Sequence, residues 1–125
     1  MLSLLKAKVE FSRLIRDWRF WSEAIGKAAE KALGSCKIYL FGSIAEGYVT
    51  GGSDIDILIV ADRLPRDFRV RGELKARIEE EAGLPLCHPF EIHLVTCGEV
   101  EANPIYKRAI GKGVAILSKE LEKRS

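Results

Sequence analysis

The sequence predicts a two-layer α/β (α+β) domain in which helices cover one face of a small mixed β-sheet. Three observations lead to this prediction. An amphipathic helical pattern fills the first third of the chain, short apolar segments typical of strands follow it, and further helical segments separate the later strands. A chain of 125 residues has the usual length of one domain, so we expect residues 1–125 to form a single domain.

The first helix is predicted over about residues 3–33, within an N-terminal segment that spans 1–34. Its apolar residues recur at alternating steps of three and four, which places them on one helix face. These residues are Leu4, Ala7, Phe11, Leu14, Trp18, Trp21, Ile25, Ala28 and Ala32. Gly34 follows the last of them, where a helix C-cap is expected.

This first helix is predicted to be longer than the sheet beside it. At 1.5 Å per residue it would measure about 45 Å, whereas a strand of five or six residues spans about 17–20 Å. Phe11, Trp18 and Trp21 are large side chains of the kind that anchor interfaces. We therefore expect the N-terminal part to pack on a partner protein or on a second copy of the chain, as in a homo-oligomer. The alternative is a bent or broken helix that wraps around the domain's own core.

The remaining elements fall within residues 36–118, the core of the domain. In order, they are strands at 37–41 and 54–61, a helix at 67–82, a strand at 90–96, a short helix around Pro104 and a last strand at 114–118. The strand at 54–61 is apolar on both faces beyond its first residues, which is typical of a central strand.

Composition and charge narrow the possible functions. The net charge is +2, from 20 basic and 18 acidic residues, which excludes a nucleic-acid binder held by charge alone. The three cysteines include no CxxC pair, so a disulfide scaffold or a structural zinc site is not expected. No apolar run approaches the roughly 18 residues of a membrane span, and the N-terminus does not resemble a secretory signal. We expect a cytoplasmic protein with no membrane partner.

Acidic residues stand at strand positions where carboxylates are unusual. Asp54 and Asp56 are two residues apart, so both side chains project from one face, roughly 6–7 Å apart. Like charges at this distance repel unless a cation lies between them, and Mg²⁺ would relieve the repulsion. Glu91 could join them if its strand lies beside 54–61. Two alternatives stay open: Asp54 as a turn residue, and Glu91 as a solvated residue of a half-exposed strand.

His93 lies two residues after Glu91 and shares its strand face. It could join the acidic site as a proton carrier or as a polar contact. The simpler interpretation, a surface or hydrogen-bonded strand histidine, is favoured.

A Gly-Ser pair ends the first predicted strand. Gly42 allows close backbone approach, and Ser43 with Glu46 forms a capping-box pattern at the start of a short helix. The free N–H groups of such a helix start suit a phosphate. Taken alone, the pair is equally consistent with a capped turn.

The combination is more specific than its parts. Gly42-Ser43, ten intervening residues, then Asp54-Ile55-Asp56 and a later carboxylate resemble the DNA polymerase β-like nucleotidyltransferase superfamily, whose signature is GS, a spacer and DxD. In length and spacing the chain is similar to the minimal nucleotidyltransferases (MNT), small prokaryotic proteins often paired with HEPN-domain proteins. The resemblance covers roughly residues 36–118 and implies a fold like the polymerase β palm.

The resemblance also implies roles for residues. Asp54, Asp56 and Glu91 would be the catalytic carboxylates that hold Mg²⁺, as a two-metal site, with Glu91 on the ion that activates the attacking hydroxyl. The superfamily often has Asp at this third position, so Glu91 is a departure.

Nucleotide binding is assigned by the same resemblance. Gly42 and Ser43 would cradle the β- and γ-phosphates of ATP, with Ser53 as a further nucleotide-binding residue. A hydroxyl would attack the α-phosphate and release pyrophosphate. Many relatives carry Arg near Gly-Ser, whereas this chain has Ile44 and Glu46 there.

The implied function is a Mg²⁺-dependent nucleotidyltransferase that adds AMP from ATP to a hydroxyl, here a tyrosine of a HEPN toxin, so that the protein acts as an antitoxin. Larger relatives carry a second domain for the acceptor, and we expect none in this chain. Two alternatives stay open: a non-catalytic module that neutralises or scaffolds a partner by binding, and an aminoglycoside-type small-molecule nucleotidyltransferase. Nucleic acid is not excluded as the acceptor.

Overall fold

The computed structural model describes residues 2–41, 55–112 and 114–115. Helices and strands follow one another in the predicted order, with two of the predicted helices divided. The elements are α1 Leu2–Arg16, α2 Trp18–Leu33, β1 Cys36–Phe41, β2 Ile55–Ala61, α3 Phe68–Glu81, β3 Phe90–Thr96, α4 Cys97–Ala102, α5 Pro104–Lys112 and β4 Val114–Ala115. Among these helices, none has both the length and the apolar character needed to cross a bilayer.

The strands form one mixed sheet in the order β3-β2-β1-β4. β2 runs parallel to β3 and antiparallel to β1, and β1 runs antiparallel to β4. β2 is therefore an inner strand, as its apolar sequence predicts. The α/β class and the small mixed sheet are confirmed. Residues 116–118, the end of the predicted last strand, lie outside the described residues.

Helices pack on both faces of the sheet, whereas the sequence analysis placed them on one. Ile57 and Ile59 of β2 face a large core formed with α1, α2 and α3. Leu58 and Val60 face the opposite side, where they pack with Val100 of α4 and with α5. All four side chains of β2 are less than 10% exposed. A strand that is apolar on both faces needs cover on both, and the two short C-terminal helices provide it.

The predicted first helix is interrupted at Asp17, so the expectation of one helix over about residues 3–33 is wrong. Asp17 has φ −96° and ψ 30°, away from helical values. Hydrogen bonds nevertheless continue on both sides, from the N–H of Asp17 to the carbonyl of Arg13 at 3.0 Å and from the N–H of Trp21 to the carbonyl of Asp17 at 3.2 Å. The two helices stay close, and Leu14 joins the same core as α2. The alternative, a broken helix around the domain's own core, is the observed one.

Three aromatic residues of this segment pack inward, since Phe11, Trp18 and Trp21 all lie against the core of the same chain. Leu5 and Val9, nearer the start of α1, remain 69% and 49% exposed, and Phe20 of α2 is 65% exposed. An interface with a partner or with a second copy through α1 stays a prediction, and the three aromatic residues on which it was based no longer support it.

The start of α4 is tied to α3 by an ion pair. Thr96 and Glu99 form a complete capping box, in which each side chain accepts a hydrogen bond from the backbone N–H of the other residue. Arg71 of α3 donates from Nη1 to both carboxylate oxygens of Glu99, at 2.8 and 2.9 Å. Burial raises the pKa of Glu99, but the bonds from Thr96 and Arg71 outweigh it and hold that pKa below its ordinary value.

Replacing Glu99 by Gln is expected to lower the free energy of unfolding at pH 7 by about 1–2 kcal/mol. The folded-state pKa of Glu99 is lowered, so its contribution is present above the ordinary carboxyl pKa and is lost as the pH falls through the folded value. Urea unfolding at pH 7 and at pH 3 measures both effects. The difference in free energy of unfolding between the wild-type and variant proteins should be smaller at pH 3 than at pH 7. A difference that is independent of pH would contradict this account.

Candidate functional site

Parallel pairing of β2 and β3 brings two carboxylates side by side. Asp56 pairs with Glu91 in register, and on its other side Asp56 pairs with Phe41 at the end of β1. Residues paired in this way point to the same face of a sheet. The condition set in the sequence analysis, that the strand of Glu91 lies beside the strand of Asp56, is met.

His93 belongs to the same cluster. Its Nε2 lies 3.3 Å from Oδ1 of Asp56, within hydrogen-bond distance. One potential ligand atom each from Asp56, Glu91 and His93 lies within 4.8 Å of the others. The side chains of His93 and Asp56 are only 25% and 27% exposed, whereas Glu91 is exposed. Sequence reasoning left His93 undecided, and the structure places it beside the acidic residues.

The alternation of β3 explains why polar residues gather here. Phe90 and Ile92 are buried against the core beneath α2 and α3, so Glu91 and His93 must point to the other face. On that face Val95, farther along the strand, is buried with α4 and α5. The polar cluster therefore lies at one end of this face, beyond its apolar cover.

Aromatic rings surround the imidazole of His93. The ring centroid of Phe41 lies 5.3 Å from that of His93, and the ring of Tyr106 lies 6.2 Å away in an edge-on arrangement. Both distances are typical of packed aromatic pairs. Phe41 of β1 and Tyr106 of α5 thus pack against the imidazole from two elements, and this packing holds the imidazole beside Asp56.

The electrostatics of the cluster favour a cation. Within the described residues, His93 is the hydrogen-bond partner of Asp56, and no Lys or Arg forms a salt bridge with Asp56 or Glu91. Two carboxylates this close repel each other in a partly buried setting. Carboxylate oxygens and an imidazole nitrogen are common ligands of divalent ions. The donor set therefore fits a divalent metal ion, and exposed Glu91 leaves the site open to solvent.

An open depression lies directly beside Glu91, with a volume of ≈ 370 Å³. It runs between α3 and the start of β3. Its lining residues are Lys75, Glu79, His88, Pro89, Phe90 and Glu91. Lys75 and Glu79 give it a polar wall that sequence patterns did not reveal, since the side chains come from an ordinary amphipathic helix.

His88 supports the start of β3 and takes no place in the cluster. Its Nδ1 accepts a hydrogen bond from the backbone N–H of Phe90 at 3.1 Å, so the ring proton sits on Nε2. Nε2 lies 2.7 Å from Oε2 of Glu79, to which it donates. Both ring nitrogens are thereby used in positioning the strand that carries Glu91.

Four residues of the predicted site lie outside the described residues. They are Gly42, Ser43, Ser53 and Asp54. Their predicted roles in binding the nucleotide and the metal stay predictions. Asp56 and Glu91 are the predicted site residues that the structure describes, and it brings them together.

Comparison with known proteins gives a family match and structural neighbours. The family model described as nucleotidyltransferase domain matches residues 22–116. A candidate nucleotidyltransferase from Sulfolobus solfataricus, known from its crystal structure, has a TM-score of 0.55 and 18% sequence identity, over 93% of this chain and 87% of that one. The crystal structure of a second candidate nucleotidyltransferase is 32% identical over 66% of this chain and 82% of that one, with a TM-score of 0.48. No curated protein matches the chain. The match at 18% identity supports the fold alone.

Proposed function

The chain belongs to the nucleotidyltransferase domain family, and on that premise we propose that it transfers AMP from ATP to a hydroxyl group of a partner protein. Nucleotidyl transfer follows from family membership. The nucleotide, the acceptor and the roles of individual residues are the proposal.

One observation carries the proposal: Asp56 and Glu91 lie side by side on parallel strands, with His93 beside them. Carboxylates on neighbouring strands are an arrangement that suits phosphoryl chemistry, because charge builds up on several oxygens at once. A divalent ion bound by these residues would neutralise that charge and lower the pKa of the attacking hydroxyl. Asp54, two residues before Asp56 in the sequence, is proposed as a further ligand.

The residues of the chain have separate tasks in this proposal. Asp56 holds the cation near the α-phosphate. Glu91, at the exposed side of the cluster, would hold the cation that activates the acceptor hydroxyl. Gly42 and Ser43, with Ser53, bind the phosphates of ATP, as the resemblance to minimal nucleotidyltransferases implies. Pyrophosphate leaves as the hydroxyl oxygen bonds to the α-phosphorus.

The depression beside Glu91 supports a protein acceptor. It is open, and its volume of ≈ 370 Å³ matches the size of pockets that take one side chain or a small ligand. By resemblance, the acceptor is a tyrosine of a HEPN toxin, and the modification neutralises that toxin. We propose that the acceptor tyrosine approaches along this depression and reaches Glu91 at the edge of the sheet formed by β3.

The proposal is tested by a pull-down from the lysate of the native host, followed by incubation with Mg²⁺ and α-labelled ATP. The Asp54→Asn/Asp56→Asn double variant is treated in parallel. We expect label on one co-purifying protein, none with the double variant, and none when the label is on the γ-phosphate. The γ-label control separates nucleotidyl from phosphoryl transfer.

Each other outcome identifies an alternative. A partner recovered equally with both forms and never labelled would favour the non-catalytic module. Label on an added aminoglycoside, or on nucleic acid that nuclease removes, would replace the protein acceptor. Excess unlabelled CTP, GTP or UTP tests the choice of ATP. A nucleotide that binds in place of ATP reduces the label on the acceptor, and one that does not bind leaves the label unchanged.

Replacing Lys75 by Ala is expected to raise the KM for the acceptor about fivefold and to leave the KM for ATP unchanged. Lys75 lines the depression with Glu91 and offers it a cation. Loss of one half-buried charged contact at such a site costs about 1 kcal/mol, close to fivefold. Lys31→Ala is the matched control, since Lys31 pairs with Glu81 at 3.3 Å away from this depression. An unchanged acceptor KM in Lys75→Ala would move the acceptor to another surface.

A further inference from the structure

We propose that His93 is a metal ligand through Nε2, so that Asp56, Glu91 and His93 bind a divalent transition-metal ion in preference to Mg²⁺. This inference rests on the proposed function in one respect, the catalytic role of the bound ion. Binding of the ion itself can be measured without nucleotide or acceptor. The starting point is the donor set, in which one of three clustered side chains offers nitrogen.

The three ligand atoms are spaced as ligands of one ion are spaced. Ligands about 2.1 Å from a divalent ion lie about 3.0 Å apart when adjacent in an octahedron and about 4.2 Å apart when opposite. Nε2 of His93 is 3.3 Å from Oδ1 of Asp56, and all three atoms lie within 4.8 Å of one another. A single ion therefore fits among them with small side-chain adjustments.

Packing holds His93 ready for this role. The rings of Phe41 and Tyr106 lie near the imidazole, at 5.3 and 6.2 Å between centroids. The side chain is three-quarters buried, with Nε2 toward Asp56. A ligand fixed by its neighbours before the ion arrives loses little conformational freedom on binding.

The nitrogen ligand changes which ion the site prefers. Mg²⁺ favours carboxylate and water oxygens, whereas imidazole suits first-row transition-metal ions. Nε2 of His93 lies 3.3 Å from Oδ1 of Asp56, so the ring presents this nitrogen to the carboxylates of the cluster. As a ligand, Nε2 would offer its lone pair to the ion, which requires the tautomer with the ring proton on Nδ1.

The chain offers a matched internal control, because it contains two histidines and His88 is the other. The ring nitrogens of His88 form hydrogen bonds with the side chain of Glu79 and with the backbone N–H of Phe90, and His88 is not part of the metal-binding cluster. Any imidazole nitrogen detected on a bound ion therefore comes from one of two residues, and a single substitution of each assigns it.

The experiment uses Mn²⁺ as the probe and electron spin-echo spectroscopy to detect nitrogen bound to it. We expect ¹⁴N coupling of imidazole in the wild-type protein and in His88→Gln, and no coupling in His93→Gln. Glutamine offers an oxygen near the position of Nε2, so this variant should still bind Mn²⁺. Incorporation of ¹⁵N-histidine changes the coupling in the wild-type protein, and provides the test if a variant does not fold.

Competition between Mn²⁺ and Mg²⁺ measures the preference of the site for one ion over the other. Removing even an outer-shell partner of a metal ligand costs about 10–100-fold in affinity, so the Mn²⁺ to Mg²⁺ preference should fall at least about tenfold in His93→Gln. His88→Gln should keep the wild-type ratio.

The inference is overturned if wild-type protein binds Mn²⁺ with no nitrogen coupling, if His93→Gln keeps the coupling, or if the wild-type protein does not bind Mn²⁺. In each case, transfer of α-label with Mg²⁺ reports separately on the proposed function. Transfer without nitrogen coupling leaves the proposed function standing and removes His93 from the metal. Absence of both binding and transfer removes both.

Discussion

Asp56→Asn is expected to reduce nucleotidyl transfer by about 10²–10³-fold and to leave the fold intact. Asp56 is the centre of the cluster, since it pairs with Glu91 across the sheet and lies 3.3 Å from His93. The substitution keeps the shape of the side chain and removes the charge that attracts the cation. Loss of one preorganised charge at a reacting centre costs about 3–4 kcal/mol in the transition state, which corresponds to this factor.

Stability should respond differently from activity. The change removes a negative charge from a pair of close carboxylates and also weakens the hydrogen bond with His93, so the two effects on stability oppose each other. We expect the free energy of unfolding to stay within about 1 kcal/mol of wild type. Turnover of α-labelled ATP and urea unfolding measure the two quantities on the same preparations.

Asp62→Asn is the matched control for this prediction. Asp62 is an exposed aspartate directly after the same strand, and its Oδ1 accepts a long hydrogen bond from Sγ of Cys97 at 3.8 Å. It should keep full activity. Transfer that survives in Asp56→Asn would argue for a non-catalytic cluster and would favour an interaction module.

The strands were predictable because their signal is local. Alternation along 90–96 sets both the bounds of β3 and the division of its side chains between two faces. The apolar run after Asp56 likewise predicts an inner strand, and β2 is inner. The helix α3 was also predictable, since Asp67 caps its start by accepting from the N–H of Arg69 and Gly83 follows it with φ +79°.

Features set by tertiary packing were not predictable in this way. The heptad-like pattern of the first segment continues through Asp17, so nothing in its period marks the break there. The break lets both helices lie on one core, a gain that appears only when the sheet is present. Similarly, the apolar character of β2 on both faces indicates two layers of cover, but it does not say which helices form the second.

The candidate site also combines features that the local sequence predicts with features that depend on tertiary packing. Asp56 and Glu91 could be chosen as candidate site residues from residue type and strand position, but their proximity depends on which strands pair and in which register. His93 shows this most clearly. Its place two residues after Glu91 fixes its face, yet the contact with Asp56 requires parallel pairing of β2 and β3. Lys75 and the depression depend on the approach of α3, which no local pattern encodes.

Glu91→Gln is expected to reduce transfer by about 10²–10⁴-fold, the range for loss of a group that assists proton transfer. The effect should fall on kcat, with the KM for ATP little changed, because Glu91 is the exposed carboxylate of the cluster and we propose that the acceptor binds on its side. Glutamine keeps the length and hydrogen-bonding shape of the side chain, so the loss reports on the charge. Steady-state kinetics with varied ATP and varied acceptor separate the two parameters.

Glu91→Asp separates charge from reach at the same position. Aspartate keeps the charge, shortens the side chain by one methylene, and is the residue that the superfamily often carries there. We expect it to retain activity within about tenfold of wild type, since the carboxylate still faces Asp56 across the paired strands. Glu73→Gln, an exposed position on α3, controls for a general change of surface charge. Equal losses in Glu91→Asp and Glu91→Gln would mean that reach is as important as charge. Full activity in both would remove Glu91 from the reaction and leave Asp56 and His93 as the cation-binding pair.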